Sequence, residues 1–91
     1  MYAVELTSAA RREYLKFGER IRTEDFNRLR QCLQSLAVNP HPAGERKLKS
    51  KHNLFRIRIG NYRIIYQVRD VERIVLVAHV LRRAESTYDF P

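Results

Sequence analysis

The sequence predicts a small α+β domain, in which one short strand and two helices precede three strands that pair in order as a meander. Three observations lead there. Residues 54–68 form two alternating arms about Gly60-Asn61, apolar residues recur at three- and four-residue spacing between 10 and 36, and residues 74–81 (IVLVAHVL) are apolar almost throughout. At 91 residues the chain is one domain, with room for a modest core and not for two.

In order, Tyr2, Val4 and Leu6 alternate with Ala3 and Glu5, the two-residue period of a strand. Thr7 or Ser8 is placed to cap a first helix, whose core side takes Ala10, Tyr14, Phe17 and Leu15 and which Gly18 is expected to end or bend. Thr23 opens a second helix with Glu24 and Asp25 in its first turn, where carboxylates favour the helix dipole. Phe26, Leu29, Leu33 and Leu36 give it an amphipathic stripe, and Asn39-Pro40-His41-Pro42 stops it, because each proline disfavours helical geometry in the residue before it. Residues 43–53 read as a polar, basic connection.

The arms that follow pair through a two-residue turn, since both Gly60 and Asn61 tolerate positive φ. That register sets Ile59 opposite Tyr62, Arg58 opposite Arg63, Ile57 opposite Ile64 and Phe55 opposite Tyr66. One face becomes apolar and aromatic. The other holds Arg56, Arg58 and Arg63, and like charges directly across a strand pair cost a few tenths to about 1 kcal/mol. An anionic partner is the simplest reason to keep them. Residues 69–73 then form a polar turn into the last strand, 74–81, whose apolar character on both faces suggests a position inside the sheet. If Val68 faces Ile74, His79 falls opposite Arg63; a one-residue slip puts it in the core, and the pattern leaves both open.

Charge is concentrated. The chain carries a formal +8, yet residues 1–45 hold seven Lys/Arg against six Asp/Glu and residues 64–91 hold four against four. The excess lies in Arg46, Lys47, Lys49, Lys51, Arg56, Arg58 and Arg63, among which no acid intervenes. A one-sign block beside a sheet face reads as an electrostatic footprint for phosphate, with Arg46, Lys47, Lys49 and Lys51 as candidate contacts to it. Hydrophobic residues are 44% of the chain and no run approaches the ~18 residues of a membrane span, so a soluble protein without a membrane partner is expected. The N-terminus shows no secretory pattern and Cys32 is the only cysteine, which fits a reducing cytoplasm and excludes an internal disulfide. Cys32, beside the second helix's stripe, reads as structural. His41 and His52 have no second ligand at metal spacing, so no metal or cofactor is expected.

With these elements in place, the chain resembles the RelE/ParE superfamily of toxins from bacterial and archaeal toxin–antitoxin pairs, over nearly its whole length, 1–91. The most specific parts are RIRIGNYRIIY, residues 56–66, and the trailing Arg82-Arg83 with Tyr88. The resemblance implies a curved antiparallel sheet backed by the two N-terminal helices and an antitoxin that wraps the toxin. It also implies a ribosome-dependent endoribonuclease that cuts messenger RNA in the 30S A site. By position it assigns catalysis to Arg56, Arg58, Arg63, Arg82 and Tyr88, with His79 and Arg83 as further candidates. Where Arg56 and Arg58 stand the RelE archetype has lysines, and a guanidinium, with pKa above about 12, is no general base. Tyr88 as phenolate, His79, or no dedicated group is left for that role. A chain ending at Pro91 leaves no room for the C-terminal helix of many relatives, so the antitoxin contact there is expected to differ. The partner is expected to be acidic or amphipathic, covering the arginines and the apolar Ile65, Val75 and Val77. Two other readings share the scaffold: a ParE-like gyrase poison, and an RNA-binding module that cuts nothing.

Overall fold

The computed structural model describes residues 1–41, 46–47 and 54–82, with backbone alone at 46–47. Its elements are β1 (Ala3–Leu6), α1 (Ser8–Arg20), α2 (Thr23–Ser35), β2 (Arg46–Lys47), β3 (Leu54–Ile59), β4 (Tyr62–Arg69) and β5 (Ile74–Arg82). The strands form one sheet in the order β1-β5-β4-β3-β2. The expected α+β meander, β3-β4-β5, is present and antiparallel. The first strand departs from the all-antiparallel sheet: β1 lies parallel to β5, with Ala3 against Ile74 and Leu6 against Val77. That pairing makes the sheet mixed and places β5 inside it. The backbone of β2, within the stretch read as a connection, adds a fifth strand that sets Arg46 opposite Arg56 and Lys47 opposite Phe55.

Thr7 caps α1, its hydroxyl accepting the Ala10 amide at 3.1 Å. Gly18 does not end this helix, which runs on to Arg20. The glycine instead admits the Phe26 ring from α2: a Cβ at Gly18 would meet ring carbons at 3.1 Å. Beside it Tyr14 and Phe26 stack with centroids 4.7 Å apart, fastening helix to helix. Leu15, assigned to the core side, is 59% exposed; Ala10 and Phe17 hold that side without it. Leu29, Leu33 and Leu36 are buried as the α2 stripe requires, and each stabilises by roughly 1.5–3 kcal/mol.

The helices cover one face of the sheet, where Phe55, Ile57, Ile64, Tyr66, Val68, Val75, Val77 and Val80 complete the core. Tyr66 is wholly buried, and its hydroxyl donates to the Pro40 carbonyl at 2.8 Å, so the core carries a satisfied phenol. At the hairpin tip Gly60 alone takes positive φ, +56°, the pattern of a type II′ turn rather than one with both residues left-handed.

β5 holds the main surprise in register. Val68 pairs with Val75, and an irregularity between Ile65 and Tyr66 leaves Ala78 as an extra residue, so His79 faces Ile65 and Leu81 faces Arg63. Beyond Leu6 no strand among the described residues lies beside the outer edge of β5, and Thr7 with α1 closes that edge. The Thr7 amide donates to Val77 O at 3.0 Å, the Thr7 hydroxyl to Ala78 O at 2.9 Å, and Glu13 Oε1 accepts the Val80 amide at 2.9 Å. No helix among the described residues is long and apolar enough to cross a membrane.

Candidate nucleic-acid interface

The register of three strands writes the candidate site as two rows across the sheet face opposite the helices. One row runs Arg46, Arg56, Ile65, His79; the next runs Arg58, Arg63, Leu81. Rows two residues apart lie about 7 Å from each other and neighbouring strands about 4.8 Å, so Arg56, Arg58 and Arg63 emerge from one small patch. Arg58 is exposed, while Arg56 and Arg63 are half-buried. The patch is not uniformly polar. Leu54, Ile65 and Leu81 are buried between the arginines and stand apart from the main core. A guanidinium over apolar neighbours keeps its stem packed and its planar donors oriented, which suits it to phosphate oxygens.

The other candidates have different addresses. Arg82 ends β5 opposite Tyr62, on the helix side of the sheet, and is exposed. There it shares a recess of about 330 Å³ with Glu13, Lys16, Phe17, Arg20 and Val80. Phe17 meets the Tyr62 ring edge-on at 5.2 Å beneath it. The resemblance groups Arg82 with Arg56, Arg58 and Arg63, whereas the register puts it on the other side of the sheet, with Leu81 opposite Arg63. Lys49, Lys51, Arg83, Tyr88 and His52 lie outside the described residues, and Arg46 and Lys47 are placed by backbone only.

His79 is neither core nor opposite Arg63. Its Nδ1 sits 3.2 and 3.3 Å from the two carboxylate oxygens of Glu13, with both side chains about one-third exposed or less. Sequence reasoning missed Glu13, Lys16 and Arg20. They do share one ridge of α1, but the end of the bulged strand that packs against that ridge leaves no mark in the helix's own sequence. Ile65, Val75 and Val77, offered as a surface for a partner, are fully buried. Cys32 fits its structural reading, since burial pushes its thiol up to about 11. His41 packs edge-on against Phe55 at 4.8 Å.

Comparison with known proteins gives the class. Residues 4–87 match the family described as ParE toxin of type II toxin-antitoxin system, parDE. Toxin RelE3 of Methanocaldococcus jannaschii is 36% identical over 62 residues, 68% of this chain and 67% of that one. Toxin RelE of Mycobacterium tuberculosis is 28% identical over 89 residues, 93% of this chain and 84% of that one. The crystal structure of an archaeal RelE–RelB complex from Pyrococcus horikoshii superposes with a TM-score of 0.77 at 20% identity, covering 93% of this chain and 98% of that chain, a likeness of fold. The chain belongs to the RelE/ParE superfamily of type II toxins, on its RelE-like side.

Proposed function

We propose that this protein halts translation as a metal-independent, ribosome-dependent endoribonuclease, cutting messenger RNA in the 30S A site, and that a cognate antitoxin neutralises it. The observation that carries this reading is the convergence of Arg56, Arg58 and Arg63 in two adjacent rows of one sheet face. Without a metal, the 2′-oxygen attacks its own phosphorus in line and loses its proton. The bond from phosphorus to the 5′-oxygen breaks, that oxygen takes up a proton, and a 2′,3′-cyclic phosphate remains. Arg58 and Arg63 suit the dianionic phosphorane, because fixed guanidinium groups strengthen their hold as charge gathers in the transition state. Arg56 extends the grip, and Arg82 meets the strand from beyond the end of β5.

Proton transfer falls to Tyr88, to His79, or to no dedicated group. His79 is the histidine candidate, its ring held by Nδ1 against Glu13. Weak acid–base chemistry suffices if the ribosome itself holds the codon in a reactive geometry. Arg46, Lys47, Lys49 and Lys51 are assigned to RNA backbone, and Arg83 to the rim. The cytoplasm is where such substrate and partner meet. The antitoxin, acidic on this reading, covers the arginine face; RelE–RelB complexes among the structural relatives support a partner of this kind.

The ParE description of the matching family favours one second reading, a gyrase poison. Purified protein incubated with programmed ribosomes separates the two. New messenger 5′ ends within A-site codons are expected; intact messenger together with cleaved DNA in a gyrase assay overturns the ribonuclease.

A further inference from the structure

The recess between α1 and the end of β5 presents Lys16, Arg20 and Arg82 around a floor of Phe17 and Val80. Among the described residues none of these three cations forms an ion pair. Glu13, the one carboxylate among the described residues of the wall, is already engaged by the Val80 amide and by His79, which turns its oxygens toward the strand edge. Among the described residues, three cations against one committed carboxylate leave the hollow positive. They come from two elements and close around one cup, where an extended acidic peptide would need a stripe. Arg12 continues the ridge of Lys16 and Arg20 along α1, so an acidic peptide is the competing occupant that a test has to separate. A volume of about 330 Å³ with an apolar floor accommodates a phosphate and its sugar.

The recess also adjoins the arginine patch. Arg82 pairs with Tyr62 and its neighbour Leu81 pairs with Arg63, so the two sites are one residue apart along both strands, on opposite sides of the sheet end. We infer that this recess is a second phosphate subsite, in which Lys16, Arg20 and Arg82 hold a backbone phosphate of the RNA strand adjacent to the segment gripped by Arg58 and Arg63. This rests on the RNA-directed reading of the arginine face and adds α1 to the interface.

The test is a titration of the full chain, followed by backbone amide NMR, with three separate probes: a short oligoribonucleotide made uncleavable by 2′-O-methyl groups, inorganic phosphate, and a poly-glutamate decapeptide. The expected result is that the oligoribonucleotide shifts the amides of Lys16, Phe17, Arg20 and Arg82. Lys16→Ala/Arg20→Ala should weaken its binding roughly tenfold near 0.1 M salt and flatten the salt slope by about 1.4, two single-strand contacts' worth. Arg22→Ala/Arg69→Ala, which removes the same formal charge elsewhere, should stay within about twofold of the parent. An equal loss in both double variants overturns the subsite in favour of diffuse attraction. Shifts with poly-glutamate or phosphate but none with the oligoribonucleotide overturn it in favour of an acidic partner or an adventitious ion. Shifts confined to Arg56, Arg58 and Arg63 overturn it while leaving the proposed function standing. Shifts in the recess from a protein that cleaves no messenger support the subsite and count against the ribonuclease alone.

Discussion

At the scale of single residues, the proposed chemistry turns on cations that cannot give up their protons. Arg63 lies directly across from Arg58, and on the proposed function the two meet the phosphorane together. Arg63→Ala should lower the single-turnover cleavage rate on the order of 10²- to 10³-fold, as loss of one oxyanion donor does, while ribosome affinity changes far less. If the variant binds weakly yet cleaves normally at saturation, the face is a docking surface. Cys32 makes the opposite kind of statement. Its thiol, raised to about 11 by burial, should alkylate on the order of 100-fold more slowly at pH 8 than an unperturbed thiol, with the rate climbing only toward pH 11. Because the folded state holds the proton more tightly, this group's contribution to stability is fully present below about 9 and is lost as pH rises through about 11. Urea midpoints at pH 8 and pH 10.5, compared with those of Cys32→Ala, read that loss directly. Of these residues, the Arg58 to Arg63 pairing was legible in the chain because a two-residue turn leaves one register. The position of Arg82 was not, since it depends on an extra residue in a strand apolar on both faces.

At the scale of elements, α1 does two jobs that its sequence advertises unequally. Its core stripe is visible in Ala10, Tyr14 and Phe17. Its hold on β5 through Glu13 is not, because a glutamate on a helix reads as a solvated charge until the strand edge beside it is known. Glu13→Ala should cost about 1–3 kcal/mol by orphaning the Val80 amide and freeing His79, whereas Glu13→Gln, which keeps an acceptor oxygen, should retain most of the stability. Urea unfolding of the two variants decides it: equal losses would mean that the carboxylate's charge, not the strand amide, matters. Gly18 shows the same limit. A glycine near the end of a helical pattern is read as a stop, and here it is an opening for Phe26 in a helix that continues. The parallel seat of β1 was equally hidden, because alternation reports which residues face the core and says nothing of the direction of the neighbouring strand.

At the scale of the whole molecule, positive charge gathers in two places that come from different arithmetic. The block between Arg46 and Arg63 is visible by counting along the chain, whereas Lys16, Arg20 and Arg82 belong to segments that balance to nearly zero and meet only through folding. On the proposed function, Lys47→Ala/Lys49→Ala/Lys51→Ala should weaken ribosome association and reduce its salt dependence by about three contacts' worth, while single-turnover cleavage at saturating ribosome persists. A normal salt slope would remove these lysines from the interface. The closure of β5 by Thr7 and Glu13 bears on how copies of the protein behave toward one another. An open strand edge is a template on which a second chain can crystallise its own backbone, the first step of swapped dimers and of fibres. By borrowing the cap Thr7 and Glu13 of α1, the fold blanks that template above Leu6 with no added strand among the described residues. A newcomer that pairs backbone to backbone is then steered to the sheet's other flank, where among the described residues β2 covers only Phe55 and Arg56 of β3 and the exposed Arg58 vets its charge.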